Sequence, residues 1–290
     1  MTMNKGANIS LIECPRDAMQ GWSTPITTPD KISYIQSLLN VGFPILDMGS
    51  FVSAKAVPQM ADTKDILSAI SLSGSKSKLL VIVANERGGE EAIHQEKVSF
   101  IGFPFSISET FQQRNTGSSM RQSIDLVGKL QVKCTNAGKQ LVVYISMAFG
   151  NPYGDKYNPE MVLEWVDKLK QFQVSHFSLA DTVGLAQPNQ VFDLSKQFTA
   201  SFQDTSMGLH LHANSHSWKE KLIAGLEAGC TQFDGAIGGI GGCPFAGSEL
   251  VGNMNTVLMA EWLQAEGYST GLDFAQLQQC AGKATKIFNS

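Results

Sequence analysis

Met207-Gly208-Leu209-His210-Leu211-His212-Ala213 alternates imidazole and aliphatic side chains along its second half. In a β-strand successive side chains leave opposite faces, so His210 and His212 share one side while Leu209, Leu211 and Ala213 share the other. Two imidazoles converging on one point make either part of a metal site or a pair of satisfied strand-end histidines, and on this stretch alone the two readings are equally open. Other segments decide between them, by delivering partners to the same point or not.

Working outward from that strand, Phe177 to Asp181 reads as the strand before it and Pro188 to Phe202 as the intervening helix. Leu141 to Ala148 and Val98 to Phe105 read as strands, and the continuous apolar run Leu79 to Ala84 as a strand buried on both faces. Pro44 to Gly49 and Ile9 to Cys14 complete the upstream set, and Gln232 to Ile237 follows downstream. Helical patterns separate them: Pro29 to Val41, Ala61 to Leu72, Gly89 to Glu96, a long connection over 108–138 that is helical from Met120, Pro159 to Gln171, and Ser217 to Gly229. Two further helices near Asn253 to Glu266 and Asp273 to Phe288 close the chain. Eight strands alternating with helices, without a Pro, Gly or Ser linker, predict a parallel (β/α)₈ TIM barrel spanning residues 1–290 as one domain, with additional C-terminal helices. A doubly wound open sheet is the runner-up, but the first strand–helix turn carries no G-x-G-x-x-G and the chain has no P-loop.

Composition narrows the class of partner. The 290 residues are 43% hydrophobic with a formal net charge of −4. No run of Lys or Arg suggests a nucleic-acid or membrane-surface partner, so a small molecule is the better expectation. The amino terminus lacks the basic-then-apolar pattern of a signal peptide, and no apolar run approaches the roughly 18 residues of a membrane span. Five cysteines with no C-x-x-C pair argue against a disulfide framework or a structural zinc site, and a cytoplasmic location is expected.

In such a barrel the functional groups gather at the carboxyl ends of the strands. The first strand runs into Arg16 and Asp17, the second ends at Asp47, the sixth at Asp181, the seventh at His210 and His212, and the eighth enters Gly238-Gly239-Ile240-Gly241-Gly242-Cys243-Pro244. Ionisable groups therefore cluster where a barrel would use them, which favours a metal site. Asp17 with His210 and His212 is a mixed oxygen and nitrogen set suited to Mg²⁺, Mn²⁺ or Zn²⁺. Arg16 is read as an oxyanion donor, with a salt bridge as the alternative, and Asp181 as a functional acid, with a helix N-cap, Thr182 and Gly184 making a turn, as the rival. Cys243 lies in a glycine-rich run that lets backbone approach a ligand closely. Cys14, Cys134, Cys230 and Cys280 read as small core residues, and His94, His176 and His216 as surface or capping residues. Schiff-base chemistry needs a desolvated lysine at the mouth, and no strand ends in one.

Glu13-Cys14-Pro15-Arg16-Asp17-Ala18-Met19-Gln20, Gly49-Ser50-Phe51-Val52-Ser53, Val57-Pro58-Gln59-Met60, Ser178-Leu179-Ala180-Asp181-Thr182-Val183-Gly184, His210-Leu211-His212 and Gly241-Gly242-Cys243-Pro244 together resemble the 3-hydroxy-3-methylglutaryl-CoA lyase family. The likeness runs from Ile9 over nearly the whole chain and is weakest around 86–100. It implies a metal-dependent barrel that cleaves 3-hydroxy-3-methylglutaryl-CoA, an acyl-CoA, to acetyl-CoA and acetoacetate, with Asp17, His210, His212 and Asn253 as metal ligands. It further implies a base, His210 or Asp181, for the tertiary hydroxyl, Arg16 beside the enolate, and Cys243 as proton donor to the carbanion. A homodimer is open to such a chain. Four positions depart from the family pattern. Ile12 stands where Glu is usual, with Glu13 one place along and turned by strand alternation to the other face unless the turn is one residue shorter; Asp47 replaces Glu; Ala213 replaces Asp; and Val257 replaces Glu. Two rival readings follow: a Claisen-type condensing enzyme of the same group, or a metal-binding barrel that has lost turnover.

Overall fold

The computed structural model describes residues 6–242 and 251–289. Eight parallel strands close on themselves in sequence order: β1 (Ser10–Glu13), β2 (Ile45–Ser50), β3 (Lys78–Ile82), β4 (Val98–Ser106), β5 (Gln140–Ser146), β6 (His176–Asp181), β7 (Ser206–Leu211) and β8 (Gln232–Gly235). Closure is made by β1 against β8, with Ser10 opposite Gln232 and Glu13 opposite Gly235. Around them run α1 (Pro15–Gln20), α2 (Thr28–Leu38), α3 (Thr63–Ala69), α4 (Glu86–Ile93), α5 (Glu109–Thr116), α6 (Met120–Asn136), α7 (Pro159–Lys170), α8 (Pro188–Ser201), α9 (Trp218–Glu227), α10 (Thr256–Ala265) and α11 (Phe274–Phe288). The (β/α)₈ expectation and the two closing helices hold. No helix among the described residues is long and apolar enough to cross a membrane.

Strand parity sorts the side chains into two populations. Leu209 and Leu211 of β7, like Leu79 and Val81 of β3 and Val143 and Ile145 of β5, belong to the large apolar layer between sheet and helices. Leu80, Val142 and Tyr144 lie on the other side of the sheet, inside the barrel, packed with Ile45, Ile82 and Phe100. His210 therefore points into the barrel because its neighbours point out. Polar side chains start many of the helices by accepting orphan N–H groups: Asn85 from Gly88, Ser108 from Phe111, Asn158 from Met161, Asn255 from Val257 and Asp273 from Gln276.

Several boundaries differ from the sequence reading, each for a local reason. The first strand stops at Glu13, and Arg16 and Asp17 sit in the first turn of α1, because Pro15 lacks an N–H and its fixed φ suits the start of a helix. Asp47 is the third residue of β2 and not its end, and the register slips between Asp47 and Gly49. β7 ends at Leu211, so His212 lies just past the ladder and pairs with Asn253 in an isolated antiparallel bridge. Asn253 thus precedes α10, where periodicity had placed it at the start of a helix. The connection over 108–138 holds two helices, α5 and α6, joined at Gly117 in the left-handed region.

Candidate metal centre and active site

Asp17, His210 and His212 meet at the carboxyl end of the barrel. Their ligand atoms all lie within 4.8 Å of one another, and all three residues are buried. The two imidazoles approach through Nε2, 3.3 Å apart. Behind His210, Asp234 accepts at Oδ2 a 3.0 Å hydrogen bond from Nδ1, which fixes the ring so that Nε2 faces the cluster. Behind His212, the Lys221 ammonium of α9 donates to the backbone carbonyl at 2.7 Å.

Arg16 joins the centre to β2. Its Nε lies 3.1 and 3.2 Å from the Asp47 oxygens, Nη2 closes the fork on Oδ2, and Nη1 donates to Asp17 Oδ1 at 2.8 Å. A guanidinium carries five N–H donors, so Nη1 and Nη2 each keep one for a ligand, and Arg16 lines the open pocket above the barrel. Asp17 is held on every side: Gln20 Nε2 donates to Oδ1 at 2.8 Å and Asn253 Nδ2 to Oδ2 at 2.7 Å. Gly241 makes that approach possible, because its φ is +111° and a Cβ there would stand 2.4 Å from Asn253 Nδ2.

Burial opposes charge on Asp17, yet Arg16, the two histidines and Asn253 overcome it and hold its carboxyl far below the ordinary range. Burial pushes His210 down, and the bond and charge of Asp234 more than reverse this, so its imidazole is raised. His212 goes the other way, to about 4, through burial and then the neighbouring His210. Two buried carboxyl groups, Asp17 and Asp47, thus share one guanidinium, and a third, Asp234, backs His210. Asp234 Oδ1, also buried, has no hydrogen-bond partner among the described residues. The donor set and the excess of carboxylate both fit a divalent cation.

Asp181 is not brought to this cluster. Ala180 and Thr182 line the pocket, and Asp181, between them in strand parity, faces the helices. There it is 1% exposed, with Oδ2 2.7 Å from Lys221 Nζ and Oδ1 3.1 Å from Ala186 N. It closes the turn through Gly184 N and Ala186 N but is not a helix N-cap, a position that Gln187 holds for α8. Cys243 lies outside the described residues. Sequence reading missed Asp234, Lys221 and Gln20. Asp234 carried a signal, since it is one strand period from Gln232; Lys221 reads as an ordinary surface lysine of an amphipathic helix.

Glu13 faces away from the centre, as strand alternation required. Oε1 accepts from Ile237 N at 2.9 Å and Oε2 from Thr256 Oγ1 at 2.6 Å. Burial pushes its carboxyl from 4.5 up to about 8, with the two bonds opposing. A carboxyl raised on folding gives stability that is fully present below its unfolded value and is lost as pH rises through the folded one. Stability should therefore fall between about pH 4.5 and pH 8. Glu13→Gln keeps the shape without the charge, and its melting temperature should exceed wild type by roughly 5–10 °C above pH 8 while matching it near pH 5. Parallel melting curves of both proteins across that range would remove this account of Glu13.

A closed parallel barrel with a carboxylate and imidazole cluster at the carboxyl ends of its strands defines the class: a barrel enzyme that works at that mouth. The family model described as HMGL-like matches residues 9–282, and the chain belongs to that family of lyases. It is 31% identical over 271 residues to the hydroxymethylglutaryl-CoA lyase YngG of Bacillus subtilis, covering 92% of this chain and 88% of that one. It is 28% identical to the (R)-citramalyl-CoA lyase of Chloroflexus aurantiacus, over 91% of this chain and 85% of the relative. Among solved structures, an HMG-CoA lyase from Acenitobacter baumannii in complex with coenzyme A and 3-methylmalate superposes with a TM-score of 0.92 at 26% identity, covering 100% of this chain and 93% of that one.

Proposed function

We propose that the chain cleaves 3-hydroxy-3-methylglutaryl-CoA to acetyl-CoA and acetoacetate. The convergence of Asp17, His210 and His212 on one buried point, with Arg16 alongside, is the observation that carries this reading. Asp17, His210 and His212 would hold a divalent cation, Mg²⁺ or Mn²⁺ before Zn²⁺. Asn253 would join them through its oxygen, since its nitrogen is committed to Asp17 and to Ile240 O. When bound, such an ion supplies Lewis-acid chemistry that lowers the pKa of the tertiary hydroxyl.

Of the two candidate bases, His210 is the better placed, because Asp181 is consumed by Lys221 and Ala186. His210 Nε2 has one lone pair and cannot ligate and accept a proton at once: as base, with the cation left to Asp17, His212 and Asn253, it takes the hydroxyl proton, while Nδ1 rests on Asp234 and steadies the resulting imidazolium. The O–H electron pair forms the ketone of acetoacetate, the adjacent carbon–carbon bond breaks, and its electrons become the enolate of acetyl-CoA. The free N–H groups of Arg16 face that oxyanion, and Asp47 keeps the guanidinium in place. Cys243 then donates a proton to the enolate carbon.

The test is incubation of the protein with Mn²⁺ or Mg²⁺ and the acyl-CoA. Acetoacetate formation supports the reading. Absence of acetoacetate sinks it, and citramalyl-CoA assayed in parallel reports whether the replacements at Ile12, Ala213 and Val257 have moved the preference to that substrate. Mn²⁺ binding without turnover of either leaves the non-catalytic barrel. Cys243→Ser should lower turnover by about 10²-fold or more with Mn²⁺ affinity unchanged, as expected for a proton donor that is no ligand. Wild-type turnover in that variant would take Cys243 out of the mechanism.

A further inference from the structure

We infer that Lys221, with Asp181 as its counter-ion, is a positioning residue that sets His212 for the cation, an inference that rests on the metal site proposed above. Lys221 lies on α9, behind the barrel wall, and is 3% exposed. Its Nζ is 2.7 Å from His212 O, 2.7 Å from Asp181 Oδ2 and 3.4 Å from Gly184 O. An ammonium has three donors, and these three acceptors take all of them.

The location gives this arrangement its purpose. The β6–β7 ladder ends at Asp181 opposite Leu211, so no ladder bond fixes the His212 peptide. On one side His212 pairs with Asn253, and Ala213 N donates to Gly252 O at 2.9 Å. On the other, Lys221 is the group that grips its carbonyl. Gly252 holds the N–H end of the His212–Ala213 peptide and the Val251 backbone holds the imidazole, so Lys221 at the carbonyl end sets the tilt of that peptide and with it the approach of His212 Nε2 to His210 Nε2, 3.3 Å away. The buried carboxylate of Asp181 pairs with the ammonium and holds it in place, and Ala186 N in turn holds Asp181. The acid that sequence suggested as a base thus acts through Lys221 on the backbone of a ligand.

Removing Lys221 alone would strand a buried carboxylate and endanger the fold, so the decisive protein is Lys221→Met with Asp181→Leu. Removing both charges should leave the melting temperature close to wild type. Mn²⁺ affinity by calorimetry should nevertheless fall about 10–100-fold, the usual cost of losing support for a metal ligand. In the metal-free protein the ring resonances of isotope-labelled His212 should also move. A double variant with wild-type affinity and an unmoved ring signal would reduce Lys221 to a structural ion pair and overturn the inference. A wild-type protein that takes up no Mn²⁺ would instead overturn the metal reading, and the ring signal would then decide the role of Lys221 by itself.

Discussion

Arg16→Met should lower turnover by about 10²–10³-fold, the loss seen when an oxyanion donor is removed, and should destabilise the protein by about 3–5 kcal/mol. Both effects come from one side chain with two duties. Toward the pocket, Arg16 offers N–H groups where charge develops; toward the wall, it forks onto Asp47, which is 1% exposed and has no other charge partner in contact among the described residues. Methionine fills much the same volume but leaves Asp47 buried without its partner and removes one of three donors from Asp17. At the usual conversion for a large domain the melting temperature should drop by roughly 10 °C. Adding Asp47→Leu separates the duties: stability should recover, because no buried carboxylate is left stranded, while turnover should not. A single variant that melts like wild type would show that the Asp47 fork contributes little; recovery of turnover in the double variant would remove Arg16 from the chemistry.

The barrel was legible because hydrophobic pattern is local. The alternation at Leu209, His210 and Leu211 and the unbroken apolar run at Leu79 to Ala84 each state which faces are buried, and eight such statements in order leave few ways to close a sheet. Asp17, His210 and His212 were legible for the same reason, as polar residues placed where a strand gives way to its loop. What stayed hidden depends on contacts between segments far apart in sequence. Asp234 lies inside a strand, and its role appears only when β7 brings His210 beside it. Lys221 spans 40 residues to Asp181, and no periodicity marks a helix lysine whose ammonium is turned inward. Asp181 misled because strand position was read without parity: at the end of β6 it is one residue out of phase with the pocket-lining Ala180 and Thr182. Parity did settle Glu13, which the ladder turns toward Ile237 and Thr256 and away from Asp17.

His212→Ala should abolish stoichiometric Mn²⁺ binding while leaving the metal-free fold intact. The fold should survive because Lys221, Asn253 and Gly252 grip the backbone of 212–213 and not the imidazole, so alanine keeps those bonds. Binding should fail because the site relies on a nitrogen that is ready at neutral pH. Burial and then His210 press His212 down to about 4, so its lone pair is free of a proton near pH 7, whereas the bond and charge of Asp234 overcome burial and raise His210. Without His212, the cation would be left with one imidazole and an Asp17 already shared among Arg16, Gln20 and Asn253. The measurement is thermal shift beside calorimetry. A ligand at a hundred times its Kd stabilises the native state by about 2.7 kcal/mol, so Mn²⁺ should raise the melting temperature of wild type and leave that of the variant unmoved. An equal shift in both proteins would place the cation elsewhere, and with Cys14 also within 4.8 Å of His210 and Asp234, the inward face of His210 would be the next place to look.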